Sequence, residues 1–143
     1  MSDRVAGPTP AETEAAATPA AGPQTILVAE DEPGVRRVAT AILKRQGYAV
    51  LEAADGEDVL RVLQGAKGQV ALVILDQRMP GPGTGATVTA IRALDPAVRV
   101  LLMSGLSEPE VAAEVRHLVR GFLGKPFRGG ELLRAVEAAL GDT

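Results

Sequence analysis

Five short runs rich in Val, Ile and Leu punctuate this chain at about 25–30, 48–52, 70–75, 98–103 and 119–123, and each is followed by apolar residues at helical spacing. Val35, Val38, Ala39 and Ile42 follow Pro33, a residue suited to a first helical turn. Val59, Leu60 and Leu63 precede Gly65; Val88, Ile91 and Leu94 lie in 84–94; Val111 and Val115 lie in 108–117; Leu132, Leu133, Val136 and Leu140 close the series. Five strands therefore alternate with five helices. Runs such as VALVIL and VRVLLM are apolar without a break, which suits strands covered on both faces, so the expected fold is α/β, a doubly wound five-stranded parallel sheet with right-handed crossovers. In such folds ligands bind beyond the carboxyl ends of the strands, where the strand order reverses.

Composition limits the rest. Residues 1–24 are mainly Ala, Pro, Thr, Gly and Glu with Val5 as the one large apolar side chain after Met1, too little to offset the entropy of ordering, so a disordered tail is expected there and a single domain over 25–143. A formal charge of -3 offers no basic surface for nucleic acid. No apolar run approaches the roughly 20 residues needed to span a bilayer, no secretory core is visible, and the absence of cysteine excludes disulfides and thiolate metal sites. A cytoplasmic protein is expected.

The chemistry-bearing residues lie at the strand ends. ILVA runs into Glu30, Asp31 and Glu32; VALVIL ends in Asp76; VLLM ends in Ser104; GFLG ends in Lys125. Clustered carboxylates cannot all stay ionised without a nearby cation. A hard divalent ion such as Mg²⁺ meets that need with oxygen ligands and retained waters. Lys125 and Ser104 would supply a fixed positive charge and a hydroxyl donor to phosphoryl oxygens, and Asp76 would be the nucleophile. Singly, these residues have plainer roles: an Asp after a strand caps a helix, and an acidic run before Pro33 suits a helix start. Four strand ends in the right order make those roles an insufficient account.

The segments ILVAEDE, VILDQRMPG, VLLMSG and FLGKPF resemble the response-regulator receiver family of two-component signalling, across 25–143 and in the family's order. The resemblance implies a flavodoxin-like sheet of order 2-1-3-4-5, with Asp76 as phosphoacceptor, Mg²⁺ held by Asp31, Asp76 and the backbone carbonyl of Arg78, and Glu30 acting mostly through water. It further implies that Ser104 and Lys125 contact the phosphoryl group and that the Lys125–Pro126 bond is cis. A histidine kinase or histidine phosphotransfer protein would be the phosphodonor, and a protein not identifiable from sequence the downstream partner. On phosphorylation Ser104 would move toward the new oxygens and Phe122 into the vacated space, altering the surface of 108–140. Charged residues on that surface, including Arg120, Arg128, Glu131 and Arg134, suit solvent, a partner or a homodimer.

Two departures from the family stand out. QRMPGPGTG after Asp76 is one residue longer than the common pattern, and Phe122 lacks the hydroxyl of the tyrosine many members carry. Arg78 lies two positions past Asp76, where a side chain can tune the lifetime of an acyl phosphate. The chain stops three residues after Leu140, so the expectation is a receiver without its own output domain, either stand-alone or the terminal receiver of a hybrid kinase. It would be a switch promoting its own phosphorylation and dephosphorylation, not an enzyme. A phosphatase is the alternative, but Arg78 stands where the DxDxT pattern needs an acid. A phosphorylation-independent interaction domain would not need the five intact site residues.

Overall fold

A computed structural model describes residues 24–66, 68–79, 83–105 and 117–141. In chain order the elements are β1 (Thr25–Ala29), α1 (Pro33–Arg45), β2 (Ala49–Ala53), α2 (Gly56–Gly65), β3 (Val70–Asp76), α3 (Thr84–Leu94), β4 (Arg99–Ser104), β5 (Gly121–Gly124) and α4 (Gly129–Leu140). The strands form one parallel sheet in the order β2-β1-β3-β4-β5. The helix expected over 108–117 falls mostly outside the described residues.

Local chemistry explains where the elements start and stop. Pro33 opens α1, where its missing N–H costs nothing, and Lys44 and Arg45 sit in the last turn beside the negative end of the helix dipole. Gly47 follows at φ +107°, a left-handed position open to glycine, and turns the chain into β2. Asp55 caps α2 by accepting from the Asp58 N–H at 2.8 Å. Glu131 does the reverse at α4, where its carboxylate accepts from the Arg128 N–H at 2.7 Å.

Side-chain alternation along each strand divides the core in two. On one face Leu27, Val73, Leu75, Val100 and Leu102 pack with Val59 and Leu63 of α2 and Val88 and Ile91 of α3. On the other, Ile26, Val28, Leu72, Ile74, Leu101, Met103 and Leu123 pack with Ala39 and Leu43 of α1 and Leu132 and Val136 of α4. Both faces of the sheet are thus buried, as the unbroken apolar runs require. The expected strands match to within two residues. β3 extends one residue further than expected, so Asp76 is its last paired residue, opposite Met103. β5 begins at Gly121, where Leu101 Cδ1 would lie 3.5 Å from an added Cβ.

Tyr48 leads into β2 and packs against the second cluster. Burial raises its phenol above the ordinary value of 10.0, and the charge of Glu137 adds to the rise. Because the folded pKa is the higher one, the stabilising contribution is complete below about pH 10 and is lost as pH climbs through the folded value. The chain has one Tyr and no Trp, so tyrosinate absorbance near 295 nm reports this residue alone. Its titration midpoint is expected above that of the same protein in denaturant, and coincident midpoints would contradict the packing described.

Candidate functional site

The same alternation that builds the second cluster continues past the strand ends and aims three polar side chains at one place. Glu30 follows Ile26 and Val28, Asp76 follows Leu72 and Ile74, and Lys125 follows Leu123, each two residues beyond a member of that cluster. β1 and β3 are neighbours although β2 intervenes in sequence, so this is where the strand order reverses and a crevice opens at the carboxyl edge. Glu30 is fully buried and Asp76 2% exposed.

Lys125 binds the group together. Its Nζ donates to Glu30 Oε1 at 3.0 Å and to Asp76 Oδ2 at 3.5 Å, and lies 4.0 Å from Glu32 Oε1. Its own N–H donates to the Ser104 carbonyl at 2.9 Å. The Lys125–Pro126 bond that follows is cis, as the family resemblance implies. Burial by itself would lower the lysine pKa, but the hydrogen bond from Lys125 to Glu30 and the charges of Asp76 and Glu30 outweigh it, and the net shift is upward. Glu30 is also raised, chiefly by burial, against the opposing hydrogen bonds from Lys125 and the Glu32 N–H.

Among the described residues, Glu30, Asp31 and Asp76 each place one carboxylate oxygen within 4.8 Å of the others, with Asp31 exposed. One lysine cannot neutralise three acids. The donor set and its surplus negative charge fit a small hard cation, and the exposed Asp31 gives the cluster a solvent-facing side.

The remaining predicted residues fall around this cluster. The Arg78 N–H donates to Asp76 Oδ1 at 3.3 Å, and its side chain is exposed. Ser104 is buried at the end of β4, while Phe122, opposite Leu102, packs against the first cluster. By alternation from Leu102, Ser104 lies on the Phe122 face of the sheet, the face opposite Glu30 and Asp76. His117 is exposed. Two contributions are not legible in the sequence: the backbone N–H of Glu32, which donates to Glu30 Oε2 at 3.1 Å, and Thr84, whose hydroxyl donates to the Gln77 carbonyl at 2.9 Å and ties the loop after Asp76 to α3. Their neighbours in sequence gave no sign of these pairings, which depend on how the loops turn.

Removing Lys125 leaves buried acids without their cation. Lys125→Met is expected to cost about 3 kcal/mol in urea unfolding at pH 7. The raised folded pKa means that this contribution is present below about pH 10.4 and fades as pH rises through the folded value. Equal stability of the two proteins at pH 7 would contradict the arrangement.

Comparison with known proteins agrees with this geometry. Residues 26–137 match the response regulator receiver domain. The chain is 32% identical over 125 residues to the sensor kinase CckA of Brucella abortus, covering 87% of this chain and 13% of that protein's length. It is 27% identical over 118 residues to sporulation initiation phosphotransferase F of Bacillus subtilis, covering 82% of this chain and 94% of that one. The crystal structure of the chemotaxis response regulator CheY4 of Vibrio cholerae superposes with a TM-score of 0.75 at 27% identity, over 82% of this chain and 99% of that one. Among the described residues no helix is long and apolar enough to cross a membrane.

Proposed function

Because this chain belongs to the response regulator receiver family, we propose that Asp76 is the residue at which this two-component receiver accepts its phosphoryl group. The observation that carries the assignment is the pairing of Lys125 Nζ with both Glu30 and Asp76, which sets a cation beside a carboxylate at the carboxyl edge of the central strand. In transfer from a phosphohistidine, an Asp76 carboxylate oxygen forms a bond to phosphorus as the P–N bond breaks, and the electron pair leaves on the imidazole. Hydrolysis of the acyl phosphate then returns Asp76 and inorganic phosphate.

Each residue has a role that its position supports. Lys125 would exchange part of its contact with Asp76 for a contact with a phosphoryl oxygen, moving one fixed charge a short way with little reorganisation. Asp31, Asp76 and the Arg78 carbonyl would hold Mg²⁺, with Glu30 acting through water. Bound Mg²⁺ would offset the negative charge gathering on the phosphoryl oxygens. Receivers are signalling switches, and the protein's part in its own phosphorylation and dephosphorylation would lie in these groups. The phosphodonor would be a histidine kinase or phosphotransfer protein, a reading supported by likeness to a sensor kinase and a phosphotransferase.

Ser104 and Phe122 would carry the state outward. They lie on one face, two registers of β4 and β5 apart, and the phosphoryl group would draw the Ser104 hydroxyl toward the strand ends. Phe122, which packs against the first cluster and lacks the hydroxyl of a tyrosine, would then turn and alter the 108–140 surface, which would meet a downstream protein or a second copy of the chain. A local charge would thereby bias a surface with two arrangements.

Intact-mass analysis after acetyl phosphate with Mg²⁺ tests the assignment. One phosphoryl adduct is expected on the wild type and none on Asp76→Asn. An adduct that survives in Asp76→Asn, or none on folded wild type, would overturn it. Arg78→Ala is expected to change the decay rate of the adduct without moving the site, and identical decay would remove Arg78 from the account.

A further inference from the structure

Arg36, in the first turns of α1, makes two hydrogen bonds that none of the steps above uses. Its NH1 donates to the backbone carbonyl of Glu30 at 2.6 Å, and its Nε donates to Glu52 Oε1 at 3.0 Å. Glu52 lies in β2 opposite Val28 of β1, and its side chain is about half exposed, whereas that of Arg36 is mostly covered. The guanidinium therefore spans from β2 to the turn that carries the acids.

The carbonyl it holds is the informative one. Glu30 C=O and the Asp31 N–H belong to one rigid peptide plane. Fixing the carbonyl oxygen orients that plane and places the Asp31 Cα, and the next peptide is held in turn by the Glu32 N–H on Glu30 Oε2, so the backbone on both sides of Asp31 is tethered. Glu30 is otherwise tethered at every polar atom: its N–H donates to the Ala53 carbonyl at 3.0 Å, Oε1 accepts from Lys125 and Oε2 from the Glu32 N–H. Asp31 is exposed. Its backbone is placed by the peptides on either side of it.

We infer that Arg36, braced by Glu52, is a positioning residue that orients Asp31 for a divalent cation. The inference rests on the Mg²⁺ reading of the acid cluster. Two properties of the guanidinium suit it to this task. It presents separate N–H donors in a rigid fork and so serves the carbonyl and the carboxylate together, which a lysine ammonium on a flexible stem does not reproduce. Pairing with Glu52 also balances its charge, so that a cation close to the metal site adds little net repulsion.

Electrostatics and positioning make opposite predictions for loss of Arg36. By Coulomb's law alone, Arg36→Gln removes a positive charge beside the acids and should tighten Mg²⁺ binding. By positioning, it should weaken it, by about tenfold, as for other groups that orient metal ligands. Mg²⁺ titrations followed through the amide NMR signals of Asp31 and Glu32 give the dissociation constant directly. Metal-free spectra and unfolding midpoints in EDTA report the fold and the turn separately. Expected are weaker binding in Arg36→Gln and Arg36→Lys, a smaller loss in Glu52→Ala, and displaced Asp31 and Glu32 amide signals in the metal-free variants while the signals of β3 and β4 stay in place. Unchanged or tighter binding in Arg36→Gln with wild type binding normally would overturn the inference. If Arg36→Gln does not fold, Glu52→Ala decides, and affinity equal to wild type overturns it. A wild type that binds no Mg²⁺ would overturn the metal reading and this inference together, whereas unaltered affinity in the variants alone would leave the metal reading standing.

Discussion

A single ammonium group closes this molecule at its functional end. Lys125, just past the fifth strand, reaches Glu30, just past the first, across 95 positions of sequence, with Asp76 of the strand between them within the same reach. Three polar side chains that are each costly to bury alone are tolerable together because the lysine is shared. The sharing is incomplete, since Lys125 alone does not neutralise Glu30, Asp31 and Asp76, and that residual charge makes the crevice receptive to a cation and to a group that brings one.

The meeting of these side chains is a consequence of strand geometry. A period of two carries the apolar rows Ile26–Val28, Leu72–Ile74 and Leu123 outward until each row ends in a polar residue at the same edge of the sheet. An insertion of one residue in any of these strands would turn its terminal side chain to the opposite face. Helix caps and turns at the edge have the same effect on a smaller scale, with the Glu32 N–H holding Glu30 and the Thr84 hydroxyl holding Gln77.

Much of this was legible in the sequence because it depends on local patterns. The runs TILVA, VALVILD and RVLLMS report strands through composition, and the polar residues expected at the strand ends, Glu30, Asp31, Asp76, Ser104 and Lys125, lie there, with Glu30, Asp31, Asp76 and Lys125 gathered together. The strand order came from resemblance, since parallel strands joined by helices fit more than one order. The backbone role of Glu32, and the parts played by Thr84, Arg36 and Glu52, are not legible there. Their contributions run through backbone amides and carbonyls or through pairs such as Arg36–Glu52, and a charged residue on a first helical turn looks the same in sequence whether it faces water or a neighbouring strand. Val119 and Arg120 fall within the strand expected over 119–123, yet β5 begins at Gly121, although the Arg120 N–H already donates to the Val100 carbonyl of β4 at 2.7 Å.

The division of the core by the sheet has one more consequence. Acids and lysine sit at the rim of one face, hydroxyl and ring on the other, and between the two compartments lies a wall of hydrogen-bonded backbone lined with Val, Ile and Leu. On the proposed reading, chemistry and readout are housed in separate rooms whose one shared doorway is the row of strand tips. Residues deep in either room would then be free to diversify for stability, and evolution of the signal would be confined to the few positions at the threshold.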